Sequence, residues 1–206
     1  MPQRSKLQSG YSQNNWIWAY SSVITLLFMF FCLIYMIPTP ELQANDPPEH
    51  IGDSFSELYN QLLEYKEINR LFSMELSGGE DYVLIRFPDT MLFEQGSARL
   101  RPTEIGIVDF VATALETAGG EAQAVIISGH TAEASELPGN VDRTLSAARA
   151  NAVLIRLEEQ GIAPDKLVEV AYGKNRPIDD NSTELGASRN QRVEILVSGK
   201  GQLEVS

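Results

Sequence analysis

"LSAARANAVLIRLEEQGI" (residues 145–162) returns apolar side chains at helical spacing and reads as a helix over Leu145–Gln160. Short β-branched stretches flank it, Ala124–Ser128 before and Leu167–Ala171 after, so the middle of the chain reads strand, helix, strand. A further helical pattern covers Glu104–Ala118, and Val193–Val197 follows as a last strand. Upstream, Met74–Leu76 and Tyr82–Phe87 flank "SGGED" (77–81), whose glycines allow a tight reversal and so a hairpin. Helices alternating with strands imply an α+β domain, a mixed sheet with helices packed on one face. The sequence has no internal repeat and no low-complexity tract.

Before the hairpin, Ser54 with Glu57 makes a capping-box signature, and Phe55, Leu58, Tyr59, Leu62, Tyr65, Ile68, Leu71 and Phe72 recur at helical spacing. A helix over 54–73 is expected, its apolar stripe packing on the domain, pairing with a second copy or lying on a membrane surface. "PTPELQANDPPEH" (38–50) has four prolines and no periodicity and reads as an extended spacer. The chain thus divides into a tail (1–15), a membrane crossing (16–37), a spacer with a linker helix (38–73), the domain (74–200) and a short C-terminal tail (201–206).

The crossing is "WIWAYSSVITLLFMFFCLIYMI" (16–37), with no charged side chain. Its 22 residues reach about 33 Å as a helix, against ~30 Å of bilayer hydrocarbon. It closes on bulky Leu33, Ile34, Tyr35 and Met36 rather than on the small residues of a cleaved signal peptide. Arg4 and Lys6 precede it and all 28 acidic residues lie beyond residue 40, which places the N-terminus in the cytoplasm and the domain in the periplasm. Trp16, Trp18 and Tyr20 at one end and Tyr35 at the other suit the headgroup boundaries.

From residue 38 onward 14 basic residues face 28 acidic ones, a balance that argues against nucleic-acid binding. The one cysteine, Cys32, lies in the apolar segment, so the exported part forms no disulfide. With only His50 and His130, no metal cluster is expected, and no cofactor is called for. His130 shares no motif with a nucleophile and is expected to be a packed, hydrogen-bonded residue closing its strand, so no catalysis is expected.

"FEQGSARLRP" (93–102), "ISGHT" (127–131), the 145–162 stretch, "AYGKNRPI" (171–178) and "RNQRVEILV" (189–197) occur in one order with short gaps and together resemble the OmpA-like peptidoglycan-binding domain. The resemblance, over about residues 82–198, implies an OmpA-like α/β sandwich that binds the peptidoglycan stem peptide by the carboxylate and ammonium of its diaminopimelate. It places Arg149 at the family's ligand arginine, whose planar fork suits a carboxylate, with Thr131 and Arg192 as further site residues. Where the family motif runs from Gly-His-Thr into an aspartate for the ammonium, this chain has Ala132. The following loop offers Glu133, Glu136 and Asp142, of which Asp142 is the better placed substitute.

The order of tail, crossing and spacer resembles the flagellar stator B subunit, MotB, and its relatives. Their crossings read tryptophan, an aromatic four residues on, an aspartate at six, a threonine at nine and paired phenylalanines at fourteen and fifteen. Counted from Trp16, this chain has Tyr20, Ser22, Thr25, Phe30 and Phe31, every landmark except the aspartate. That aspartate carries the ion in the family, and a serine hydroxyl does not ionise near neutral pH. Tyr20, Ser21, Ser22 and Thr25 therefore either line an ion path or pack helices closely. The resemblance implies a homodimer surrounded by a MotA-like polytopic membrane protein in a bacterial inner membrane. Three roles stay open: a stator or motor subunit of flagellar or phage-defence (Zorya-like) type, a passive tether between membrane and wall, and a non-conducting regulator of a motor complex.

Overall fold

The computed structural model describes residues 15–36, 51–120, 122–132 and 139–199. The chain divides into two units, Met1–Ala44 and Asn45–Ser206.

The described part of the first unit is one helix, α1 (Asn15–Met36). Among the described residues no helix is long and apolar enough to cross a membrane; within α1 the described side chains are those of residues 20–32, short of the expected 16–37 span. Ser21, Ser22 and Thr25 lie on one side of α1 with Leu26 and Met29. The Thr25 hydroxyl donates to the Ser21 carbonyl at 2.8 Å, satisfying itself within the helix.

In the second unit α2 (Asp53–Ile68) leads into a hairpin of β1 (Glu75–Gly78) and β2 (Tyr82–Pro88). One helical turn, α3 (Asp89–Leu92), precedes α4 (Ile105–Ala118). Strand β3 (Ala124–His130), helix α5 (Gly139–Glu159) and strand β4 (Leu167–Gly173) form the strand-helix-strand unit expected from the sequence. The chain closes with α6 (Glu184–Asn190) and β5 (Arg192–Ser198). The sheet order is β1-β2-β5-β3-β4, with only the β3–β4 pair parallel. The mixed sheet expected from the sequence is therefore present; α2 and α5 pack against it, and α4 packs on both helices within the same core.

Alternation along the strands separates the faces. Val83, Ile85 and Phe87 of β2 and Val193, Ile195 and Val197 of β5 are all 0% exposed and meet the helices. Of the dispositions left open for the linker helix, the first holds. Phe55, Leu58, Tyr59 and Leu62 of α2 are buried in this core, each contributing about 1.5–3 kcal/mol relative to exposure, while Tyr65 stacks on Phe110 at 3.8 Å.

The strands and α4 differ from expectation by one or two residues at their ends, and three boundaries of α2 and α5 depart in ways that matter. The Ser54/Glu57 capping box does not form: α2 starts one residue earlier behind Gly52, whose side has no room for a Cβ because the Glu80 carbonyl oxygen would be 2.0 Å away. At the other end α2 stops at Ile68 instead of running to 73, because Arg70 takes a left-handed conformation (φ 54°). Leu71 N–H then donates to the Lys66 carbonyl at 2.9 Å and Arg70 N–H to Glu67 at 3.2 Å, a Schellman closure with arginine where glycine is usual. Finally, α5 begins at Gly139, well before Leu145, so Asp142 lies on its first turn and not in a loop.

The parallel unit depends on one close approach. A Cβ on Gly129 of β3 would lie 2.0 Å from the Ser146 carbonyl oxygen and 2.7 Å from its carbon, both backbone atoms of α5. Replacing Gly129 with alanine must push helix and sheet apart, and a loss of about 3 kcal/mol is expected. Chemical denaturation of the Gly129→Ala variant measures it.

Candidate functional site

The end of the sheet at Pro88, Arg192 and His130 carries the candidate site. Asp89 opens α3 at the end of β2; its N–H donates to the Gln191 carbonyl at 3.0 Å and its own carbonyl accepts from Phe93 N–H at 2.8 Å. The chain then folds over in a tight turn. Glu94 N–H bonds the Arg99 carbonyl at 3.1 Å, Ser97 N–H bonds the Glu94 carbonyl at 3.0 Å, and Gly96 takes φ +67° at its tip. From the other side α5 brings Arg149 beneath this turn.

Arg149 is 2% exposed. Its Nη2 lies 3.0 Å from Asp89 Oδ2, its Nε donates to the Ser97 carbonyl at 3.1 Å, and its guanidinium carbon sits 5.5 Å from the centroid of the Phe93 ring. Nη1 is buried with no hydrogen-bond partner among the described residues. Burial pushes the Asp89 carboxyl up despite Arg149, and pushes the guanidinium down despite Asp89. Both directions mark a pair held out of water at a desolvation cost. Asp89 and Phe93 also line a cleft of about 680 Å³ whose far wall is Asn181–Glu184 and α6.

The other expected residues divide between the two faces of the sheet. Thr131 follows β3 directly; its N–H donates to the Gly173 carbonyl at 2.9 Å, and its Oγ1 is buried without a hydrogen-bond partner among the described residues. Asp142 is 4% exposed on the first turn of α5, the helix that carries Arg149. Ser146, between them on that helix, accepts from Gly173 N–H at 3.1 Å and so ties the start of α5 to the end of β4. Glu133 and Glu136 lie outside the described residues.

Arg192 is elsewhere. Because its neighbour Val193 points to the core, Arg192 points to the opposite face, where its Nε bonds Glu194 Oε1 at 2.8 Å and its Nη2 donates to the Arg176 carbonyl at 3.1 Å. Arg86 bonds the same Glu194 oxygen at 2.9 Å. His130 is packed as expected, at 2% exposure and stacked on Tyr172 at 5.1 Å. Among the described residues its ring nitrogens have no hydrogen-bond partner, contrary to expectation, and Glu194 at 3.6 Å is an electrostatic contact.

Asp89 is the residue that the sequence did not disclose. Its partner is distant in sequence, and no spacing rule links the two. The local trace is a proline before an acid at the start of a short apolar turn, "PDTML", a helix-start signal without chemical meaning of its own.

The charged face predicts acid sensitivity. Burial holds His130 below the usual histidine range, so its contribution to stability is complete above about pH 6.5 and is lost as pH falls through the folded value. For Glu194, burial raises the carboxyl but His130 and Arg192 outweigh it and hold it well below the usual range; its contribution is lost only below about pH 4.3. Thermal melts from pH 8 to 2 should fall in two stages, one on each side of about pH 4.3, and His130→Gln should flatten the upper one.

Residues 92–191 match the model of the OmpA family. The peptidoglycan-associated lipoprotein of Pseudomonas aeruginosa is 35% identical over 115 residues, covering 56% of this chain and 66% of that protein. Motility protein B of Bacillus subtilis is 29% identical over 129 residues, covering 60% of this chain and 48% of that one. The chain thus spans less than two thirds of either relative's own length. Among solved structures, a putative MotB like protein from Desulfovibrio vulgaris shares the fold with a TM-score of 0.61 at 22% identity, covering 69% of this chain and 92% of that chain.

Proposed function

Since residues 92–191 match the model of the OmpA family, we propose that the protein fastens a membrane assembly to peptidoglycan as a MotB-like inner-membrane subunit. The observation that carries the wall-binding part is Arg149. It stands at the family's ligand arginine, is held rigidly by Asp89, Ser97 and Phe93, and keeps one buried donor unspent. A buried donor without an acceptor costs about 1–3 kcal/mol, and a ligand carboxylate in its place would remove that cost. The diaminopimelate of the stem peptide supplies such a carboxylate.

On this reading residues 16–37 cross the inner membrane once, the N-terminal tail is cytoplasmic and the domain is periplasmic. Two copies pair within a ring of a MotA-type polytopic partner, in a stator or motor of flagellar or phage-defence type. Ser22 stands where the relatives' ion-carrying aspartate would be. A second reading, a passive tether between membrane and wall, draws support from the same segment, since residues 16–37 contain no Asp, Glu, Lys, Arg or His. A non-conducting regulator of a motor complex differs from the stator only in that no ion flows.

Co-sedimentation of the full chain with purified sacculi tests the wall-binding part. Arg149→Lys keeps the charge but loses the fork, and retention should weaken by about 2 kcal/mol, roughly thirtyfold. Equal retention of the two proteins would move the ligand away from Arg149.

Ion conduction is tested at residue 22. If α1 presents Ser22 to an ion path, Ser22→Asp places there a carboxyl that can bind and release a proton. Co-expressed with the polytopic partner, that variant should acidify the cytoplasm relative to the unmodified chain, as read by an intracellular pH reporter. Silence in both forms favours the tether.

A further inference from the structure

The ligand assigned above carries an ammonium as well as a carboxylate, yet residue 132, where the family keeps its aspartate, is an alanine buried at 3% exposure. A second carboxylate has to meet that ammonium. Asp89 is the carboxylate that the fold sets against the ligand arginine, at 3.0 Å, and it also forms part of the cleft wall. Its position is fixed through the backbone bonds that α3 makes to Gln191 and Phe93. Beside it, Arg149 holds the unspent Nη1 donor.

The two charges of an amino acid hang on one carbon, so its recognition needs counter-groups that are themselves neighbours. Arg149 and Asp89 are such neighbours, whereas Arg192 and Glu194, an equally close pair, face away from the core on the opposite side of the sheet and are bonded to each other and to Arg86. We infer that Asp89 is the specificity-determining carboxylate of this site, meeting the free ammonium of a zwitterionic amino acid whose carboxylate engages Arg149. The inference rests on the wall-binding reading and sharpens it. The preferred ligand is a stem peptide with an unblocked amine at its third residue, and blocking that amine removes the contact with Asp89 while leaving the contact with Arg149.

The probe is diaminopimelate-type sacculi, native or with their free amines acetylated, co-sedimented with the detergent-solubilised full chain. Wild-type retention should drop about tenfold on acetylation, as expected for loss of a charge-assisted pair. Asp89→Asn should bind native sacculi about tenfold more weakly and bind both preparations alike. Because removing that charge leaves Arg149 buried and unpaired, a melting curve accompanies the variant. Asp89→Glu, which keeps the charge and moves it by one methylene, supplies the second arm, and its discrimination should shrink to about threefold or less. An unchanged tenfold ratio in either variant overturns the inference. Wild-type protein that sediments equally with both preparations also overturns it but leaves wall binding intact; wild-type protein that sediments with neither removes both.

Discussion

A guanidinium and a carboxylate held together out of water govern this end of the domain. Taking such a pair from solvent costs several kcal/mol per ion, and only good geometry with further hydrogen bonds offsets it. The structure supplies both. Helix α3 sets Asp89 by backbone bonds, the 94–99 turn contributes the Ser97 carbonyl, and the Phe93 ring lies against the cation. None of this assembles unless α5 approaches β3 at van der Waals distance, which the missing side chain of Gly129 allows. The offset is incomplete, as both groups are displaced from their ordinary values in the direction of neutrality. A site in that condition gains from a ligand that completes its hydrogen bonding.

The second charged cluster follows a different logic. Arg86, Arg192, His130 and Glu194 sit on the sheet face opposite the helix-packed core, and they are joined to Arg189, Glu75 and Asp179 in a chain of ion pairs. Here the acids and bases are already matched to one another. The cluster closes the polar side of the sheet and ties α6 and the 176–179 segment to β5 and β1. Two arginines close in sequence role therefore end in different chemistry, because Arg192 lies on a strand with period two and Arg149 on a helix facing the core.

How much of this could be read in advance depended on the range of the signal. The strand-helix-strand unit around residue 145 was legible, because apolar periodicity reports a local property and the core uses it directly. What covers α2 is not written in its sequence, since an amphipathic stripe announces that a partner exists and not which one. The early stop of α2 was hidden because Arg70 adopts a backbone shape that sequence rules assign to glycine. The start of α5 was hidden behind Pro138 and Gly139, residues that punctuate loops as readily as they begin helices. Arg149 is singled out by resemblance, and Asp89 is not, since the contact between them exists only in the folded chain.

The place where α2 joins the domain has a mechanical meaning. Gly52 lies against the β1–β2 turn, its N–H 3.3 Å from the Gly79 carbonyl, at the end of the sheet where Tyr82, Ser198 and Ala124 are in register. Arg149 and Asp89 lie at the other end, beside Pro88, Arg192 and His130. Tension entering through the connector and leaving through a bound ligand would therefore run along the strands, over about 23 Å of seven-residue strand. Loaded in that direction, the cross-strand bonds of β2, β5 and β3 share the force and must fail together instead of opening one after another. The same sheet pulled across its strands would unzip from an edge, so the position of Gly52 decides which of the two loads the sheet would meet.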